Sequence, residues 1–107
     1  MLTLEYKRCI AEILRAAARI EEMTRGLSRQ DFLADRARVA GASDELVRIG
    51  RAVSGLPRKI RQRYPSIDWN AWPAGTISGD DALWAAATRQ VPAFAGQVNR
   101  ILFDITD

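Results

Sequence analysis

Residues 4–25 place Tyr6, Ile10, Ile13, Ala17, Ile20 and Thr24 at alternating steps of four and three. That spacing traces one face of an α-helix and no face of a strand. The period returns in Val39, Ala42, Leu46, Ile49 and Val53. It returns again in Leu83, Trp84, Ala87, Val91, Phe94, Val98, Ile101 and Leu102. No alternating, strand-like run competes with these three stripes. Three long amphipathic helices can bury such stripes only against one another, so the expected fold is all-α: an antiparallel bundle of three long helices with one or two short ones.

The breaks between stripes carry their own signals. Gly26 suits the left-handed position that ends the first helix. In "LSRQDF" Ser28 is a cap, Asp31 stands at N3, and Leu27 and Phe32 occupy the staple positions. A short helix should follow and bend near 35–37, before a long helix over about 37–54. Gly50 lies beside Ile49 on the buried face, where a missing side chain lets another helix approach. Gly55 stops that helix, and Pro57 suits the first turn of a short helix over 57–63. Asp80 and Asp81 suit the first turn of the last helix, where carboxylates meet the positive end of its dipole. Pro92 falls inside that helix and predicts a kink.

Composition sets bounds on function. The 107 residues suffice for a single domain, 1–107, with one core. No apolar run approaches the roughly 18 residues needed to cross a membrane. The start "MLTLEYKRCIAEIL" lacks the layout of a signal peptide. The single cysteine, Cys9, cannot form an internal disulfide, and a cytoplasmic protein is the expectation. Cys9 reads as a buried, inert thiol. There is no histidine, so the commonest general base and the commonest metal ligand are both missing. No metal site or cofactor is expected. The pairs Glu21–Glu22 and Asp80–Asp81 are adjacent on helices and point apart, and "AGTISGDD" lacks the lysine of a phosphate-binding loop.

The net charge is +3, with fourteen arginines and only two lysines. Arginine suits bidentate contact with carboxylate or phosphate, but codon bias in a GC-rich genome, where alanine is also abundant, is the plainer reading. On the first helix most charges fall in i,i+3 or i,i+4 pairs, such as Glu12–Arg15 and Glu21–Arg25, a solvated face. The densest positive charge is Arg58, Lys59, Arg61 and Arg63 on "PRKIRQRYP". It reads either as a phosphate- or RNA-binding surface or as a solvated face around Ile60 and Tyr64, and the second is the plainer reading. All three tryptophans lie in "IDWNAWPAGTISGDDALW", residues 67–84. Tryptophans flanking an irregular loop usually cover the end of a core, although they also serve as stacking platforms for bases.

Three segments in order, "IEEMTRGLSRQDFLADR" (20–36), "VRIGRAVSGLPRKIRQRYPSIDW" (47–69) and "DDALWAAATRQVPAF" (80–94), resemble the HepT-like branch of the HEPN helical proteins. The family pattern G-L-S-x-x-x-F-L-x-D matches Gly26, Leu27, Ser28, Phe32, Leu33 and Asp35. The pattern L-P, then P-x-I-x-W, matches Leu56, Pro57, Pro65, Ile67 and Trp69. The resemblance implies a helical bundle, commonly a two-fold dimer, and a ribonuclease toxin paired with a small nucleotidyltransferase antitoxin. It also implies a catalytic motif, R-x-x-x-x-H followed by x-Y, between the I-x-W tryptophan and the last helix. Here Trp69 and Trp84 stand closer together than in the family, and the bridge "NAWPAGTISG" holds no arginine, histidine or tyrosine. On the second long helix the family's R-N-L-E-I-I-G-E becomes "DELVRIGR" (44–51), which keeps Leu46, Ile49 and Gly50 but changes the polar positions.

The expectation is therefore a HepT-like protein without the catalytic residues: a non-catalytic module that forms homodimers and engages a nucleotidyltransferase-like partner. Dimer contact is expected near the bridge, through Trp72 and Ile77, which would be costly to expose side by side. The alternatives are an active ribonuclease with substitute groups among Arg58, Arg61 and Tyr64, or RNA binding without cleavage through the basic short helix and the tryptophans. No membrane partner is expected.

Overall fold

The computed structural model describes residues 2–69 and 79–104, with side chains over 6–69 and 79–101. All regular structure among them is helical: α1 (Leu2–Thr24), α2 (Arg29–Ala34), α3 (Arg36–Gly55), α4 (Arg58–Arg63), α5 (Asp80–Ala85), a π-helical turn (Ala86–Gln90) and α6 (Val91–Asp104). The last three run on without a break and form the third long rod, so the expected all-α bundle of three long and two short helices is observed.

Helix α1 is central and packs against both α3 and α6. It does so because its stripe is wider than a single seam: Ala16 is fully buried beside Ala17, and together with Tyr6, Ile10, Ile13 and Ile20 they serve two neighbours. The pairing with α3 is antiparallel. Residues 9, 19 and 23 of α1 meet residues 55, 45 and 41 of α3 in reverse order. Glycines permit the approach. A Cβ on Gly41 would lie 3.1 Å from Met23 Cε, and one on Gly55 would lie 3.3 Å from Cys9 Sγ. Gly50 is buried, as the stripe requires. The α3 stripe (Val39, Ala42, Leu46, Ile49, Val53) is buried throughout.

The corner between α1 and α3 shows what the G-L-S-x-x-x-F-L-x-D pattern does. Gly26 adopts φ +74°, a left-handed turn that a Cβ would strain. Ser28 is extended, and its Oγ accepts the Asp31 N–H at 3.1 Å. Phe32 is 0 % exposed, its ring 5.4 Å from that of Trp84. Asp35 ends α2 and caps α3, accepting the Arg38 N–H at 3.2 Å. Arg38 in turn donates to the Met23 carbonyl at 3.1 Å and closes the corner. The bend expected near 35–37 is this shared cap, where one residue cannot continue either helix.

The α5 end is fastened to the same corner. Arg29 pairs with Asp81, and Arg36 Nη1 lies 3.4 Å from Asp80 Oδ2. The irregularity predicted at Pro92 lies one turn upstream and is a π turn rather than a simple kink. Val91 N–H reaches back five residues to the Ala86 carbonyl. Pro92 has no N–H for the Thr88 carbonyl, and its ring would crowd that oxygen, so the preceding turn widens by one residue. Thr88 Oγ1 donates to the Trp84 carbonyl at 2.7 Å within the widened turn. Two smaller differences concern the short helix. It begins at Arg58, and Pro57 (φ −56°, ψ 139°) is its cap rather than its first helical residue. Glu45, outside the predicted stripe, is only 7 % exposed.

Candidate functional site

Helix α4 is held by few anchors. Leu56, 3 % exposed, ends α3 with its N–H on the Val53 carbonyl at 3.2 Å. Ile60 is the one buried residue of α4. Beyond the helix, Ile67 and Trp69 are buried. The Trp69 indole stands edge-on to Phe94, with ring centroids 5.9 Å apart, and its Nε1–H donates to the Tyr64 carbonyl at 3.1 Å. The L-P and P-x-I-x-W residues thus fix α4 and the chain after it onto the end of the bundle. For Trp69, covering the core end is the observed role.

The expected cationic residues divide around this anchor. Arg58, Lys59 and Arg63 are exposed, and Arg61 and Tyr64 are half-buried. The structure brings Arg58 and Arg61 together with Gln62 and Trp69 around a concavity of about 280 Å³. Spacing of three and four residues puts 58, 61 and 62 on one helix face. Lys59 and Arg63 fall on the adjoining face, and the Arg63 guanidinium carbon lies 6.0 Å from the centre of the Tyr64 ring. A second concavity, of about 220 Å³, lies beyond Tyr64 and includes Ser66, Gln97 and Arg100.

Seven arginines outside α4 are paired with carboxylates. Arg15, Arg19, Arg25, Arg29, Arg36, Arg38 and Arg48 each have a carboxylate partner. Among the described residues, Arg58, Lys59, Arg61 and Arg63 have none, and Arg61 Nε is buried without any acceptor. The cause is legible in the chain: no acidic residue occurs between Glu45 and Asp68. At the opposite extreme, Glu45 is held between Arg19 Nη1 at 3.4 Å and Arg48 Nε at 3.7 Å. Residues 45 and 48 are two of the positions where the family pattern changes, and here they serve an ion pair between α1 and α3.

Neither Lys59 nor Tyr64 has a hydrogen-bonded side-chain partner among the described residues, so the structure places no acid–base pair on α4. No cluster of three or more His, Cys, Asp or Glu that would hold a metal occurs among the described residues. Trp72 and Ile77, expected at a dimer contact, lie outside the described residues. Gln62 is the pocket residue that sequence reasoning did not single out, and Trp69 was singled out only as one of three tryptophans. The position of Gln62 follows from helix spacing alone, whereas that of Trp69 depends on how the chain returns after α4.

No helix among the described residues is long and apolar enough to cross a membrane. No protein-family model matches the chain, and no solved structure matches it. A probable ribonuclease HepT of Thermococcus cleftensis is 25 % identical over 104 residues, covering 90 % of this chain and 94 % of that protein. The likeness runs almost end to end in both chains, as the ordered motifs do, and the fold of this chain is an all-α bundle.

Proposed function

We propose that this protein is a HepT-like member of the HEPN group that has lost the cleavage chemistry and acts as a non-catalytic, dimeric interaction module. The observation that carries this reading is the absence of histidine from all 107 residues, set against nearly full-length similarity to a probable ribonuclease. Metal-free RNA cleavage takes a proton from a ribose hydroxyl and returns one to the leaving oxygen. A positioned group that titrates near neutral pH contributes roughly 10²–10⁴-fold to such a step. The family's motif supplies a histidine for this, and no residue here replaces it. The preserved Gly26, Ser28, Phe32, Asp35, Ile67 and Trp69 have packing and capping roles, which is why the fold survives without the chemistry. A small nucleotidyltransferase of the antitoxin type is the expected partner, and a second copy of the chain is the expected dimer mate.

The test is incubation of purified protein with structured and single-stranded RNA, with and without divalent metal. The expected result is intact RNA. Cleavage that follows the protein through two chromatographic steps and disappears in Lys59→Ala or Tyr64→Phe would overturn the reading. Light scattering at high concentration tests the dimer, and a strict monomer would remove that part of it.

A second reading, RNA binding without cleavage, is favoured by one specific observation. The cations of α4 are the densest positive charge in the chain, and among the described residues they have no carboxylate partner. Unpaired cations are free to release counterions when they meet phosphates.

A further inference from the structure

We propose that the groove between α1 and the last rod is a self-association surface. A second copy of this chain lays its own α1 there in the antiparallel direction, about a two-fold axis at Leu14. The proposal rests on the dimeric reading above, names its face from residues outside the bridge, and is independent of whether cleavage has been lost.

The groove holds about 470 Å³ and is lined by Leu14, Ala17, Ala18, Ala87, Pro92 and Ala95. Leu14 and Ala95 are half-buried and Ala18 and Pro92 are exposed, so an apolar strip stays open where two helices already meet. Its small side chains let a further helix approach to the about 8–10 Å of ordinary helix packing.

The charges of α1 say what covers this strip. Lys7 stands seven residues before Leu14 and Glu21 seven after; Ala11 and Ala17 stand three before and three after. Seven residues return to the same line of a helix within about 20°. Lys7, Leu14 and Glu21 therefore share one edge, and Glu21 itself borders the groove. Arg8 and Glu22 widen the two charged ends. The edge is symmetric about Leu14 in side-chain size and opposite in charge. An antiparallel copy sets Lys7 and Arg8 against Glu21 and Glu22 at both ends, alanine against alanine between them, and Leu14 against itself. That is the condition for an isologous contact, in which i meets j and j meets i. A parallel copy would set like charges together at both ends.

Two features of α1 have no explanation within the single chain. Glu12 pairs with Arg15, Arg19 with Glu45, and Arg25 with Glu21. Lys7, Arg8 and Glu22 are exposed and have no ion-pair partner among the described residues. The last turn of α1 also holds Glu21 and Glu22 with no basic residue, the reverse of what the helix dipole favours. Opposing charges on a second copy offset both. An anionic lipid or nucleic-acid surface would instead be repelled by the acidic end. Residues 7–22 span about 24 Å of helix. A seam of that length is at the small end of stable interfaces, so the dimer is reversible, with a Kd on the order of 10 µM.

The experiment follows mass by light scattering across a concentration series of the full chain, with a thermal melt for each variant. Lys7→Glu with Arg8→Glu makes both ends acidic, and Glu21→Lys with Glu22→Lys makes both ends basic. All four side chains are exposed, so the fold should hold. Each double variant should dimerise at least about tenfold more weakly than the parent, because like charges then face each other. An equimolar mixture of the two should recover the parental dimer, since every acidic end then meets a basic one. The chain carrying all four changes should recover it too. In a Cys9→Ser background, Leu14→Cys should cross-link to itself on mild oxidation, because the axis passes through residue 14. Ala18→Cys, offset from its own copy by about 12 Å along the seam, should not. A parental dimer unaffected by either reversal would overturn the α1 seam and leave the dimeric reading standing on another face. A strict monomer would remove both. Failure of the mixture to recover the dimer, or cross-linking of Ala18→Cys as fast as Leu14→Cys, would each overturn the proposal.

Discussion

Replacing Phe32 with alanine tests whether the corner between α1 and α3 is held by packing. Phe32 is 0 % exposed, sits against the Trp84 ring at 5.4 Å, and is the only buried residue of α2. Truncation removes on the order of 100 Å² of buried apolar surface, which at about 25 cal/mol/Å² is about 2.5 kcal/mol. The void raises this, because α2 is pinned on both sides by the Ser28 and Asp35 caps and by the Arg29–Asp81 pair, and so has little freedom to collapse. Loss of the ring pair adds about 0.5–1.5 kcal/mol. The expected cost is therefore about 3–5 kcal/mol, the range for large-to-small aromatic changes in cores. That is a large fraction of the roughly 5–15 kcal/mol that stabilises a typical small protein. Urea unfolding followed by far-UV circular dichroism reads it as a fall in midpoint at unchanged m, and tryptophan emission, the sum of Trp69, Trp72 and Trp84, follows the same transition. Phe32→Leu, which keeps most of the volume, should cost well under half as much. A loss below about 1 kcal/mol for the alanine variant would show that α2 is not seated as described.

Gly50→Leu should destabilise by about 1–3 kcal/mol, because Gly50 is buried on the core face of α3 and a large side chain there overpacks the core; a rise in thermal midpoint would mean that this face of α3 is open. Ser28→Ala should cost about 0.5–2 kcal/mol by removing the acceptor for the Asp31 N–H, and Ser28→Asp should restore most of it in the same melt. Pro92→Ala should restore an N–H where the helix lacks one and raise stability by up to about 1 kcal/mol, with amide hydrogen exchange slowing across residues 86–92. No change in exchange there would show that the π turn has a cause other than the proline.

Helix positions and caps were legible in the chain because they depend on near neighbours. The stripes of α1, α3 and the last rod, the Gly26 stop, the Ser28 cap and the acidic start at Asp80 all follow from residues within about one turn of each other. The cationic run of α4 was legible for the same reason. Other features required knowing which distant segments meet. Glu45 is one residue off the stripe of α3 and reads as a surface charge, yet it is buried because Arg19 arrives from the antiparallel α1 to neutralise it. Pro92 announced a distortion but not its form, since a widened turn and a bend both relieve the lost hydrogen bond. The four arginine and lysine residues of α4 read alike in one dimension. Only when Trp69 folds back against Phe94 and closes a wall beside Arg58 and Arg61 does one part of that run become a concave site while the rest stays an open face. Local spacing determines a helix and its punctuation because hydrogen bonds and caps span three to five residues. A pocket is made by side chains from separate segments, and only the tertiary structure brings those together.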